Sequence, residues 1–189
     1  AQSHGRQKKP NFAAQPAPET TEYGHRAESG ATERVAVCLT LFNEESDLVR
    51  STLQSLIMSL DASGSGNISS AIICIIADGS DSLKESTRLF LQSMDLKTVD
   101  GSNLDEFAHI SERTLEQDES ALALDGRPAS APDILVRLIS KPKNVGKLDS
   151  HRLFFDGVCP VFVPTYCIQI DTGTVVTQET LLKLLRVFE

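Results

Sequence analysis

Val35-Ala-Val-Cys-Leu-Thr-Leu41 is apolar at every position but Thr40, and its reading decides the fold class. A strand with one wet face alternates apolar and polar residues, whereas an unbroken run suits a strand covered on both faces, as in a parallel sheet. Ala71-Ile-Ile-Cys-Ile-Ile-Ala77 repeats the pattern. Between the two, Ser46 to Leu60 sets Leu48, Val49, Leu53, Leu56, Ile57 and Leu60 at helical spacing. A second helix is expected from Ser82 to Ser93. Strand, helix, strand, helix in this order predicts an α/β fold with a mainly parallel sheet and flanking helices.

Further along, Ile134-Leu-Val-Arg-Leu-Ile139 and Tyr166 to Ile170 read as two more buried strands. Gly146 to Val158 is expected to begin as a helix with Leu148, Arg152 and Phe155 along one side. Thr177 to Phe188 reads as a helix capped by Thr177, with Leu181, Leu184, Leu185 and Phe188 on its buried stripe. Asp95 to Ala131 is the least legible part; Leu104 to Leu124 is read as a helix in spite of its sparse apolar positions, closed by Pro128 and Pro132. Residues 1–33 are rich in Ala, Gln, Pro, Glu and Gly with little to bury, so they are expected to be a disordered arm. That leaves 34–189 as the domain.

Composition narrows the function. The 189 residues are 40% hydrophobic and 23% charged, with no Trp, so the core must rest on Val, Ile and Leu. Formal net charge is −8, and Asp95 to Ala131 carries nine acidic residues against three basic, a local net of −6. Such a surface repels phosphate backbones and argues against a nucleic-acid partner. No apolar run reaches the roughly 18 residues that a membrane span needs. The four cysteines are widely spaced, matching neither a zinc cluster nor a CxxC pair, and Cys38, Cys74 and Cys167 fall in apolar runs as small hydrophobes. With polar, Pro-rich sequence following Lys9 where a secretory signal would be apolar, the expected setting is cytoplasmic, or the cytoplasmic face of a membrane.

Three strand ends gather polar groups. Asn43 and Glu44 follow the first strand, Asp78 the second, and Asp171 the last, and ligands in such sheets bind at the carboxyl ends of strands. Each Asp also precedes a glycine within two residues, so a helix-capping turn explains either one alone. Against the acidic background, Lys141-Pro-Lys-Asn-Val-Gly-Lys-Leu-Asp-Ser-His-Arg152 concentrates Lys141, Lys143, Lys147 and Arg152. Lysine meets phosphate as a point charge and arginine bidentately. Solvated surface lysines are the plainer reading. No GxGxxG or GxxxxGK[ST] occurs, which removes the Rossmann dinucleotide fingerprint and the P-loop. His151 lacks a recognisable nucleophile motif, so a small hydrolase is the weakest of the open alternatives.

In this order, Cys38-Leu-Thr-Leu-Phe-Asn-Glu-Glu45, Ala77-Asp-Gly79, Lys141 to Arg152 and Asp171-Thr-Gly-Thr174 resemble the donor-binding half of chitin synthases. These are processive inverting glycosyltransferases of the GT-A class. The resemblance covers 34–189 and implies a GT-A-like, Rossmann-like domain, incomplete at its C-terminus, that binds UDP-N-acetylglucosamine with Mg2+ or Mn2+. It implies that Thr40, Asn43 and Glu44 cradle the uridine, that Asp78 meets the base or ribose, that Lys147 lies by the uracil or phosphates, and that Asp171 is the metal-side carboxylate. Ser80, Gly146, Asp149 and Leu153 stand where that family usually has a cation, a lysine, an asparagine and a tryptophan. The acceptor-side Glu-Asp-Arg motif, whose Asp is the general base, has no counterpart in these residues. An inverting transfer needs such a base, so donor binding without polymerisation is the expectation for this polypeptide alone. A non-catalytic nucleotide-sugar-binding or assembly module is the alternative. Self-association, or association with the rest of such an enzyme, is the expected partner relation.

Overall fold

Strand β1 (Glu33–Leu41) sits near the middle of a five-stranded sheet in the order β3-β4-β2-β1-β5. The structure, a computed structural model, describes residues 33–63, 68–98, 108–115, 122, 124 and 126–187. Helix α1 (Ser46–Ser63) leads to β2 (Ile68–Ala77), then α2 (Glu85–Ser93), β3 (His109–Thr114) and β4 (Asp133–Ser140). Helix α3 (Lys147–Leu153) runs through a π-helical segment, Phe154–Val158, into the short α4 (Cys159–Phe162). Strand β5 (Tyr166–Asp171) and α5 (Thr180–Leu185) follow. Residues 31–189 form one compact unit. The arm assigned to 1–33 lies outside the described residues except for Glu33, which already belongs to β1.

The unbroken apolar runs are explained by cover on both faces of the sheet. Val35, Val37, Leu39 and Leu41 of β1 join Ile73, Ile75, Val136 and Leu138 under α1, α2 and α5. Ala36, Cys38, Ile72, Cys74, Ile76 and Ile139 face the other way, against Phe154 and Val158. β1, β2, β4 and β5 are parallel, as the strand–helix alternation predicts.

Three expectations are corrected. His109–Thr114, inside the stretch read as a helix, is an antiparallel edge strand on β4 whose residues alternate half-buried and exposed. Its register is marked by the Glu112–Arg137 ion pair directly across the ladder, at 2.7 Å. The remainder of that helix, apart from Ala108, Leu115, Leu122 and Leu124, lies outside the described residues. β5 is not buried throughout: it alternates as the other edge, with only Ile170 fully covered and Cys167 exposed. Leu148, Arg152 and Phe155 are exposed together, while Phe154 and Val158 of the π segment turn inward. Finally, α5 starts at Thr180, not Thr177. Thr180 Oγ1 accepts the Thr177 N–H at 2.9 Å, which holds the chain in a turn before the helix. Leu181 and Leu185 are its buried residues, Leu184 is exposed, and Phe188 lies outside the described residues.

The connections position a site. From β1 the chain steps outward to β2 and then β4, and it returns to the opposite side of β1 as β5. The order therefore reverses between β1 and β5, which is where open α/β sheets form a crevice beyond their carboxyl ends.

Candidate functional site

At that switch point Thr40 and Asp171 are register partners on adjacent strands. A cleft of about 290 Å³ opens there, lined by Thr40, Leu41, Phe42, Glu44, Asp78, Lys147, Asp171 and Thr172. The Thr172 hydroxyl donates to the Thr40 carbonyl at 2.9 Å, and the Gly173 N–H donates to Thr52 Oγ1 on α1 at 2.9 Å. Both bonds tie the turn after β5 to the sheet and helix behind it. Glu44 folds back so that its Oε2 accepts the Phe42 N–H at 2.6 Å, while its carbonyl accepts from Thr87 Oγ1 at 2.7 Å.

Asp78 and Asp171 close this cleft from different depths. Asp78 is 6% exposed, and its carboxylate accepts the N–H groups of Val145 and Gly146, both at 3.0 Å, with Lys141 Nζ 2.9 Å away. Lys141 is itself buried and also reaches Asp149 at 2.8 Å and Ser150 at 3.1 Å. Gly146 makes its bond at φ +102, in the left-handed region that favours glycine. Gly79 meets a harder limit: a Cβ there would lie 2.9 Å from the Asn144 backbone nitrogen, so the loop carrying Val145 packs directly on its bare backbone. Ser80, in a position where the resemblance leads one to expect a cation, is fully buried and donates its hydroxyl to the Lys141 carbonyl at 3.1 Å.

Asp171 is different. Its side chain is 68% exposed and pairs with Lys147, itself half exposed. This pair borders the 290 Å³ cleft and a second cleft of about 430 Å³, lined by Lys147, His151, Gln169, Ile170, Asp171 and Thr174. The same field is felt inside the sheet, at Cys38. Burial chiefly pushes that thiol up to about 12, with Lys147 opposing and Asp171 adding to the rise.

Of the residues singled out in the sequence, Thr40, Glu44, Asp78, Lys147 and Asp171 therefore share one cleft. Asn43 is exposed and does not line it. Lys143 and Arg152 line another cleft, of about 530 Å³, to which Lys141 also contributes. Arg152 is engaged there by Asp156 at 3.3 Å. The 290 Å³ cleft is the candidate site because the strand-end groups converge on it, whereas the 530 Å³ cleft receives none of the carboxylates that end β2 and β5. Lys141, one of the cations concentrated in the sequence, stands behind Asp78 and does not line this cleft. Sequence reasoning missed Thr172 as a lining residue, although it directly follows the last residue of β5.

A family model described as a chitin synthase-like glycosyltransferase domain matches residues 35–189. The chain belongs to that family. Chitin synthase 1 of Phytophthora sojae is 26% identical over 183 residues, covering 86% of this chain and 19% of its own length. Chitin synthase A of Ampelomyces quisqualis is 25% identical over 171 residues, covering 81% of this chain and 18% of its own. For chitin synthase 2 of Cryptococcus neoformans var. grubii the figures are 27% over 175 residues, 85% and 18%. The chain thus spans about a fifth of the length of the curated relatives it matches. This chitin synthase-like domain has a transferase's family and a Rossmann-like sheet. Among its described residues no helix is long and apolar enough to cross a membrane.

Proposed function

We propose that this domain binds UDP-N-acetylglucosamine together with Mg2+ or Mn2+, as the donor-binding part of a hexosyltransferase that extends a β-1,4-linked N-acetylglucosamine chain. The observation that carries the reading is the meeting of Thr40, Asp78, Lys147 and Asp171 on one cleft at the switch point of the sheet. Asp78, holding two N–H groups and a buried lysine, builds the floor and keeps lone-pair capacity for a ribose or base donor. Lys147 offers a point charge to the diphosphate, and Phe42, partly exposed at the rim, offers a ring face to the base.

The residues present fit a divalent cation of a particular kind. Among the described residues no three His, Cys, Asp or Glu groups gather as a protein cage. Mg2+ and Mn2+ need no cage when one carboxylate and substrate phosphates suffice, and Asp171 is an exposed carboxylate at the rim. When bound, such an ion neutralises charge on the departing nucleoside diphosphate. Asp171 would hold it, and Lys147 would then turn from Asp171 to a phosphate oxygen. The domain would work on the cytoplasmic side of a membrane. Its exposed Val161, Val163 and Val175 would serve contact with a second copy or with other parts of the enzyme. These 189 residues would bind donor without transferring sugar by themselves.

Thermal unfolding with UDP-N-acetylglucosamine and MnCl2 tests this. Ligand at about 100 times Kd adds roughly 2.7 kcal/mol, which corresponds to a rise of several degrees in Tm. The rise should be absent in Asp171→Ala. Unchanged curves for both proteins would favour the assembly module instead.

A further inference from the structure

Cys159 and Cys167 lie eight residues apart in sequence, one opening α4 and the other on the edge strand β5, and their sulfurs are 3.5 Å apart. Cys167 is exposed and Cys159 partly so. The other two thiols are unlike them. Cys38 and Cys74 are register partners on β1 and β2, fully inside the sheet, where burial pushes both thiols up and blocks access. The protein therefore carries one thiol pair that a small reagent can reach.

A metal is a poor occupant for this pair. Two sulfurs are half of what a structural zinc site needs, and among the described residues no third His, Cys, Asp or Glu joins them. What two adjacent thiols can do without further ligands is couple. The sulfurs need to approach by only about 1.5 Å to reach bonding distance, and the pair lies at a surface edge and not in the packed core.

We propose that Cys159 and Cys167 form a dithiol modification site that low-molecular-weight disulfides, of the oxidised glutathione class, convert to an intramolecular disulfide. Cys167, the exposed member, gives up its proton to solvent and attacks one sulfur of the reagent. The reagent's S–S bond breaks, one thiol leaves with a proton, and Cys167 is held as a mixed disulfide. Cys159 then loses its proton, attacks Cys167 Sγ and expels the second reagent thiol. Two protein S–H groups are oxidised and one reagent disulfide is reduced to two thiols.

The environment favours this order. Burial, then the hydrogen bond and charge of Cys167, push the Cys159 thiol up to about 12. Capping Cys167 removes the second and third of these causes, so Cys159 becomes a better nucleophile once its neighbour has reacted. The resulting bond would join α4 to β5. Those two elements continue to Lys147, back through the π segment and α3, and to Asp171 at the end of β5.

Trypsin releases both cysteines in one peptide, Leu153–Lys183, which has no internal Lys or Arg. The folded protein is treated with oxidised glutathione, unfolded, alkylated with iodoacetamide and analysed by mass spectrometry. The expected wild-type result is a peptide lighter by two hydrogens that takes up no alkyl group, while Cys38 and Cys74 are alkylated in full. In Cys159→Ser the mixed disulfide should persist on Cys167, and in Cys167→Ser no glutathione adduct should form on Cys159. The proposal is overturned if the wild-type peptide keeps two alkylated cysteines, retains glutathione on Cys167, or cross-links to a second chain. The wild-type peptide decides the matter even if either variant fails to fold.

Discussion

Asp78 and Asp171 are the same side chain at the ends of two parallel strands, and burial separates what each does. Asp78 compensates a lysine that has left water and anchors two loop N–H groups. Removing Asp78 would leave buried Lys141 only its half-exposed partner Asp149 and strip two N–H groups of their acceptor, so Asp78→Ala should cost about 3 kcal/mol in urea unfolding. Asp171→Ala, at an exposed pair, should cost less than about 1 kcal/mol in the same measurement. Equal losses would contradict the division. Glu45 offers a pH test. Hydrogen bonds from Lys84 and Ser86 hold its carboxyl below the ordinary glutamate value. A depressed folded value means that the stabilisation is present above the ordinary glutamate range and is lost as pH falls below it. Lys84→Met should raise the Glu45 titration seen by NMR, and its stability deficit against wild type should vanish in acid; a deficit that persists there would point to packing instead.

At the scale of elements, α1 is held to the segment around β3 and β4 by Arg127. Its guanidinium grips both carboxylate oxygens of Asp61 at 2.8–3.1 Å and reaches the Pro132 carbonyl at 2.9 Å, with both partners of the pair largely buried. Arg127→Ala should cost about 3 kcal/mol by chemical denaturation; a change under about 1 kcal/mol would show the clamp to be dispensable. Nothing in the sequence singled out this pair, because its members are 66 positions apart and each reads as a surface charge. The central strands were legible, since cover on both faces writes itself as unbroken apolar sequence at β1, β2 and β4. The edges were not. β3 carries Ser111, Glu112 and Arg113, too polar for a strand signal, and pairs only through its antiparallel neighbour. The inward turn of Phe154 depends on a π segment that helical periodicity does not anticipate.

For the whole molecule, the site follows from topology more than from any single motif. Reversal of strand order between β1 and β5 brings Thr40, Asp78, Lys147 and Asp171 together from positions spread over more than 130 residues. Asp78 and Asp171 stand at strand ends as the sequence reading expected, whereas Asn43, Lys143 and Arg152, grouped with them in that reading, do not line this cleft. Polar residues on a loop or an exposed helix carry no mark of the direction they take, whereas a residue ending a buried strand does. The central claim is that a divalent ion and a uridine diphosphate meet at Asp171. Paramagnetic broadening of backbone amide signals by Mn2+ in the presence of UDP reads this position directly. Signals of Phe42, Gly146, Thr172 and Gly173 should broaden first in the wild-type protein and stay sharp in Asp171→Ala. Broadening centred on Lys143, Asp149 and Asp156, or unaffected by Asp171→Ala, would contradict the account.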